Sequence, residues 1–137
     1  MPFVDDPSIG NDEILLRRIP HPGETTPDVK AAHGIRPRSS AFDPNRDGSP
    51  MSVQRLSVLQ RLGLDPVEVM LEEFPGWGIV AFRAVIIRGF GKGISPDAND
   101  DDGEAHAIIE DLTGGEGKRL AKACEWFVLP SGYQPKP

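Results

Sequence analysis

The stretch Trp77-Gly78-Ile79-Val80-Ala81-Phe82-Arg83-Ala84-Val85-Ile86-Ile87-Arg88-Gly89-Phe90 is the longest apolar run in the chain. Its β-branched and nearly uninterrupted apolar character predicts a strand covered on both faces, hence a central one. Fourteen residues is long for one strand, which predicts a bend near Arg83 or a hairpin-like break. Just upstream, Asp65 can cap a helix, Pro66 suits its first position and Glu68 completes a capping box. Val67, Met70, Leu71 and Phe74 repeat at i, i+3, i+4 and i+7, predicting a helix over Asp65–Phe74 with one buried face, stopped by Pro75 and Gly76. Val53, Leu56, Leu59 and Leu62 recur every third residue between Ser52 and Gly63, predicting another helix over Ser52–Leu62. Downstream, an acidic loop over 91–103 precedes alternating residues that predict a strand over Glu104–Leu112. Thr113 and Glu116 then form a second capping box, opening a helix over Gly114–Phe127 with Leu120, Ala123, Cys124 and Phe127 as its apolar stripe.

Towards the amino end, Ile14–Ile19 reads as a short strand closed by Pro20, and Arg38–Phe42 as another. Residues 20–37 read as loop. The expected architecture is therefore α+β: a mixed sheet of three to five strands packed by about three helices. With 137 residues, 14 Pro and 15 Gly, the chain suits one domain over 12–129, with flexible tails at 1–11 and 130–137.

The formal charge of −6 argues against sequence-independent binding to nucleic-acid backbones, which needs many cationic contacts. Cys124 is the only cysteine, so no intrachain disulfide forms; it reads as a core residue in a reducing, cytoplasmic setting. The acidic start of the chain lacks the apolar core of a signal peptide, and the run from Trp77 is too short for a membrane span.

Several motifs approach a chemistry without completing it. Asp43, Asn45, Asp47 and Gly48 match the opening of a calcium loop, but the bidentate position falls on Gln54, so an ordinary turn is expected and no metal. The acidic run Asp97 to Asp102 could attract a divalent cation, yet such loops are usually solvated. Thr113–Arg119 lacks the first glycine and the Ser or Thr of a phosphate loop, leaving a capped helix start. The candidate recognition residues are Arg18, Arg36, Arg38, Ser39 and Ser40, since guanidinium forks beside hydroxyls suit phosphate or carboxylate groups. His106, on a strand, is the weak catalytic candidate. His21 and His33, in loop, are weaker still.

The combination Leu15-Leu16-Arg17-Arg18-Ile19, Arg38-Ser39-Ser40-Ala41-Phe42, Asp47-Gly48, Met51-Ser52-Val53, His106-Ala107 and Lys118-Arg119-Leu120-Ala121 resembles a family of small bacterial proteins of uncharacterised function. That resemblance implies a stand-alone bacterial domain and carries no activity to any residue. A fainter similarity is to ADP-ribosyltransferase-like folds, which place an early arginine and a strand serine at a nucleotide site; their later glutamate motif is missing here. The leading expectation is a non-enzymatic bacterial or phage adaptor, without cofactor, that binds another protein and touches no membrane. The alternatives are a small enzyme or sensor for a nucleotide-like anion, held by Arg18, Arg38 and Ser39 with His106 as acid/base, and an inhibitor that mimics nucleic acid through its acidic loop.

Overall fold

The structure is a computed structural model that describes residues 3–20, 29–30, 36–37, 39–44, 48–99 and 103–130. At Arg83 the apolar run changes from strand β5 (Gly78–Arg83) to helix α3 (Ala84–Gly89). The cause is not local. The first backbone N–H groups of α3 are taken by chain that precedes the first strand: Ala84 N–H donates to the Glu13 carbonyl (2.9 Å) and Val85 N–H to that of Asn11 (3.0 Å). A helix start normally leaves such donors without partners, so contact with another segment turns a β-branched run into strand plus helix.

Beyond α3, the described elements are β1 (Ile14–Ile19), β2 (Val29–Lys30), β3 (Arg36–Pro37), a 3-10 helix (Ser39–Phe42), β4 (Met51–Arg55), α1 (Leu56–Arg61), α2 (Pro66–Leu71), β6 (Ile94–Pro96), β7 (His106–Ile109), α4 (Gly114–Ala123) and β8 (Glu125–Val128). The main sheet has six strands in the order β6-β7-β4-β1-β5-β8, and β2 with β3 makes a separate ladder. The α+β class is the expected one. The sheet is larger than expected and antiparallel at each of its pairings, where a mixed sheet was anticipated.

Two expected helices are shorter because strands claim one end of each. Met51–Arg55 is strand: Met51 and Val53 alternate into the core opposite Ile109 and Ala107 of β7, so pairing overrides the three-residue repeat. After Ala123 the chain extends at Cys124 (ψ 159°) and pairs with β5 as β8. Asp65 caps α2 through Val67 N–H, and the Thr113–Glu116 capping box forms in full. Arg38–Phe42, expected as strand, is a 3-10 helix from Ser39, and Arg38 lies outside the described residues.

The sheet is covered on both sides. On one face Leu15, Ile19, Val53, Val80, Phe82 and Ala107 pack with Phe42 and with Leu120 of α4. On the other, Leu16 and Ile79 pack with Val58, Leu59 and Met70 of the α1–α2 hairpin. Gly117 lets α4 lie against the 3-10 helix, since a Cβ there would stand 3.2 Å from the Ser39 carbonyl oxygen.

Residues Phe3 to Asn11, expected as a loose tail, form a strap over the β6 edge. Ile9 is fully buried. Asp6 N–H donates to the Ile94 carbonyl (2.8 Å), and Ile94 N–H to Asp5 Oδ1 (2.9 Å). Arg88 donates to Asp5 Oδ1, to Asn11 Oδ1 and to the Asp6 carbonyl. The expectation failed because one buried apolar residue, Ile9, set among acids and a proline, does not announce a packed segment. Pro130 is buried, and the rest of the expected carboxyl-terminal tail, 131–137, lies outside the described residues.

Candidate functional site

Arg17 and Arg18 are neighbours on a strand and therefore project to opposite faces of the sheet. Arg17 Nε donates to the Ala41 carbonyl (2.7 Å) and Nη1 to that of Ser52 (2.8 Å), tying the 3-10 helix to β4. On the other face Arg18 Nη1 donates to the Met70 carbonyl (3.2 Å) near the end of α2. Its guanidinium lies 4.1 Å from the centre of the Phe74 ring, which itself packs against Trp77 at 4.6 Å. The position favours a cation, because the last carbonyls of a helix carry partial negative charge and the ring face is also negative. Arg18 thus anchors the α1–α2 hairpin to the sheet.

The expected recognition residues do not converge. Ser39 is half-buried at the face that carries α4, opposite to Arg18, and its backbone packs on Gly117. Ser40 is exposed, and its carbonyl accepts from Asp43 N–H (3.2 Å). Arg36 is exposed on β3, opposite Lys30 in register, and its charge reaches Cys124. Burial pushes the Cys124 thiol up to about 12; the Arg36 charge opposes this and Glu125 adds to it. Such a thiol is protonated and unreactive at neutral pH.

His106 shares the hairpin face of the sheet, but by register it lies two strands and two residues from Arg18, on the order of 12 Å at the backbone. It is only 6% exposed. Its Nδ1 faces both the Asp97 carbonyl (3.0 Å) and Asp97 Oδ2 (3.1 Å), so that nitrogen carries the proton and donates. His106 ties the start of the acidic loop to β7. Asp43 is exposed, while Asn45, Asp47, His21, His33 and Asp100 to Asp102 lie outside the described residues. Among the described residues no three His, Cys, Asp or Glu side chains come together to hold a metal ion.

Comparison with family models, with curated proteins and with solved structures finds no match to this chain. Site chemistry therefore rests on the residues themselves. Two shallow clefts, of about 330 Å³ under the strap and about 220 Å³ beside Glu13, include none of the expected site residues. In the second, Glu13 accepts from Arg55 Nε (2.9 Å) and Ser57 Oγ (2.6 Å), so its carboxylate is engaged in holding β4 and α1 to the chain before β1.

The surface that sequence reasoning missed is the α1–α2 hairpin. Leu62 and Leu64 are each 45% exposed, and Val67 and Val69 each 39%. Of the six residues in α2 only Met70 is buried. The helical spacing suggested that Val67 and Leu71 face inward with Met70; Met70 is buried and Leu71 packs partly buried beside it, but Val67 faces solvent. A signal was present in the sequence all the same: Leu62 and Leu64 flank the Gly63 turn, and Val67 and Val69, two residues apart in α2, cannot both face the sheet.

Proposed function

We propose that this chain is a non-enzymatic protein-binding domain whose contact surface is the α1–α2 hairpin. The observation that carries this reading is that four of the seven exposed large hydrophobic residues among those described, Leu62, Leu64, Val67 and Val69, belong to one hairpin. Exposed apolar side chains concentrated on one element mark a contact site more often than singly scattered ones do. Two features support it. Arg18 and Met70 fix the hairpin to the sheet, so the surface is presented in one orientation. The groups needed for anion chemistry are dispersed instead: Arg18 and Ser39 are on opposite faces, and His106 is occupied by Asp97. A reducing cytoplasmic setting suits the lone cysteine, and among the described residues no helix is long and apolar enough to cross a membrane.

The test is cross-linking capture from native lysate with three baits: the unaltered chain, a Leu64→Ser/Val67→Ser variant and an Arg36→Glu variant, with captured proteins quantified by mass spectrometry. The reading predicts that the serine variant loses the specific partner while Arg36→Glu keeps it. Equal recovery on all three baits would refute the hairpin as the contact surface. A nucleotide screen should be flat, since a ligand at 100-fold over its dissociation constant would stabilise the fold by roughly 2.7 kcal/mol and be readily seen.

A further inference from the structure

The chemistry of the hairpin narrows the kind of partner. From Leu62 to Phe82 the chain holds four carboxylates, Asp65, Glu68, Glu72 and Glu73, and no Lys, Arg or His. All four residues are exposed. Among the described residues none of them lies within ion-pairing distance of a cation. Of the flanking cations, Arg61 is paired with Glu104 at 3.1 Å, Arg18 lies over Phe74, and Arg83 is exposed at the end of β5. The apolar side chains therefore sit in a locally acidic stretch whose carboxylates are ion-paired to no described cation, and a partner bearing cations around an apolar stripe would satisfy both features.

The form of the occupant follows from the sheet edges. An extended peptide adds to a sheet through unpaired backbone groups. At β6 the outward Ile94 N–H and carbonyl are taken by Asp5 and Asp6, and Pro96 has no N–H to offer. At β8, Ile79 faces Val128 while Val80 faces Trp126, so Phe127 forms a bulge, and Pro130 follows. Both edges are blunted, one by the strap and one by irregularity. The hairpin offers side chains and not a ladder, which suits an amphipathic helix seated by its apolar face.

We infer that the α1–α2 hairpin receives a basic amphipathic helix of a partner protein, with leucine-like residues against Leu62, Leu64, Val67 and Val69 and lysine or arginine opposite Asp65, Glu68, Glu72 and Glu73. This inference rests on the hairpin being the contact surface, as proposed above.

The probe is a labelled synthetic helix of leucine and lysine patterned with one apolar face, read by fluorescence anisotropy against the full chain. Two sister peptides control it: one with glutamate in place of lysine, and one with serine in place of leucine. The leucine–lysine helix should bind, and both sisters should bind at least about tenfold more weakly. Glu68→Lys/Glu72→Lys/Glu73→Lys should lose about tenfold for the leucine–lysine helix and gain affinity for the leucine–glutamate one. Leu64→Ser/Val67→Ser should weaken both, and raised salt should weaken the leucine–lysine complex. Asp100→Asn/Asp101→Asn/Asp102→Asn should bind as the unaltered chain does. Absence of binding, equal binding of the glutamate sister, or loss in the Asp100–Asp102 variant instead of the Glu68–Glu73 variant would each overturn the inference. If the inference fails while lysate capture is still lost on Leu64→Ser/Val67→Ser, the hairpin remains the contact surface and only the basic helical partner is rejected.

Discussion

Two side chains show why pattern alone misassigned their roles. Arg18 has the chemistry of an anion-binding residue, yet it is engaged by the Met70 carbonyl and the Phe74 ring. Arg18→Ala should lower stability by about 2–4 kcal/mol, through loss of the charge-assisted hydrogen bond to Met70 and the partly shielded cation–π contact with Phe74. Urea melts check this, and an unchanged midpoint would show that the anchor contributes nothing. Cys124 gives a prediction with a defined sign. Its folded-state value is raised from 9.0 to about 12, so the unfolded chain releases this proton first. Its contribution to stability is complete below pH 9 and is lost as pH rises towards 12. The folded thiol should accordingly react with a disulfide reagent far more slowly than the unfolded one at pH 8. Cys124→Ala should flatten the alkaline part of the stability profile relative to the unaltered chain, and an identical slope in both would contradict the assignment.

Elements were legible where their signals are local. Both helix starts with a capping side chain form where expected: Thr113 and Glu116 make the full reciprocal box, while Asp65 caps α2 through Val67 N–H without the expected return bond from Glu68. Thr113→Ala should cost about 1 kcal/mol, readable as a lower thermal midpoint, and an unchanged midpoint would mean that the box is not limiting. The strand at Ile14–Ile19 was equally plain, because Pro20 ends it. What escaped was set by distant contacts. The change from β5 to α3 depends on carbonyls of Asn11 and Glu13, and β4 exists because β1 and β7 flank it. No residue in Met51–Arg55 or Ala84–Gly89 reports those neighbours. The same limit governs the site. Arg18, Ser39 and His106 were grouped by chemical type, but strand alternation and register separate them. Leu62 and Val67 were read as inward-facing by helical spacing, and both are exposed, while Met70 and Leu71 of the same pattern pack on the core.

At the scale of the whole molecule, the strap has a structural duty and the hairpin the proposed one. The strap closes the sheet at β6, with Ile9 in the core and Arg88 bonded to residues 5, 6 and 11. Ile9→Ala should cost about 2–5 kcal/mol, as expected for a fully buried aliphatic side chain. Arg88→Ala should make the segment before Ile9 cleavable by protease under native conditions and allow concentration-dependent association through the exposed β6 edge, visible by size-exclusion chromatography. A protease pattern identical to that of the unaltered chain would show that the strap does not depend on Arg88. With both edges of the six-stranded sheet blunted, the proposed contact rests on side chains, and the acid-rimmed apolar hairpin is the face that the proposal assigns to it.

The most direct measurement is a backbone amide map by NMR during titration with the leucine–lysine helix. The hairpin assignment predicts shifts concentrated between Leu62 and Phe74, extending to Arg18 beneath them. Shifts centred on Arg36, on α4 or on the Asp97–Asp102 loop, with the hairpin unmoved, would contradict it.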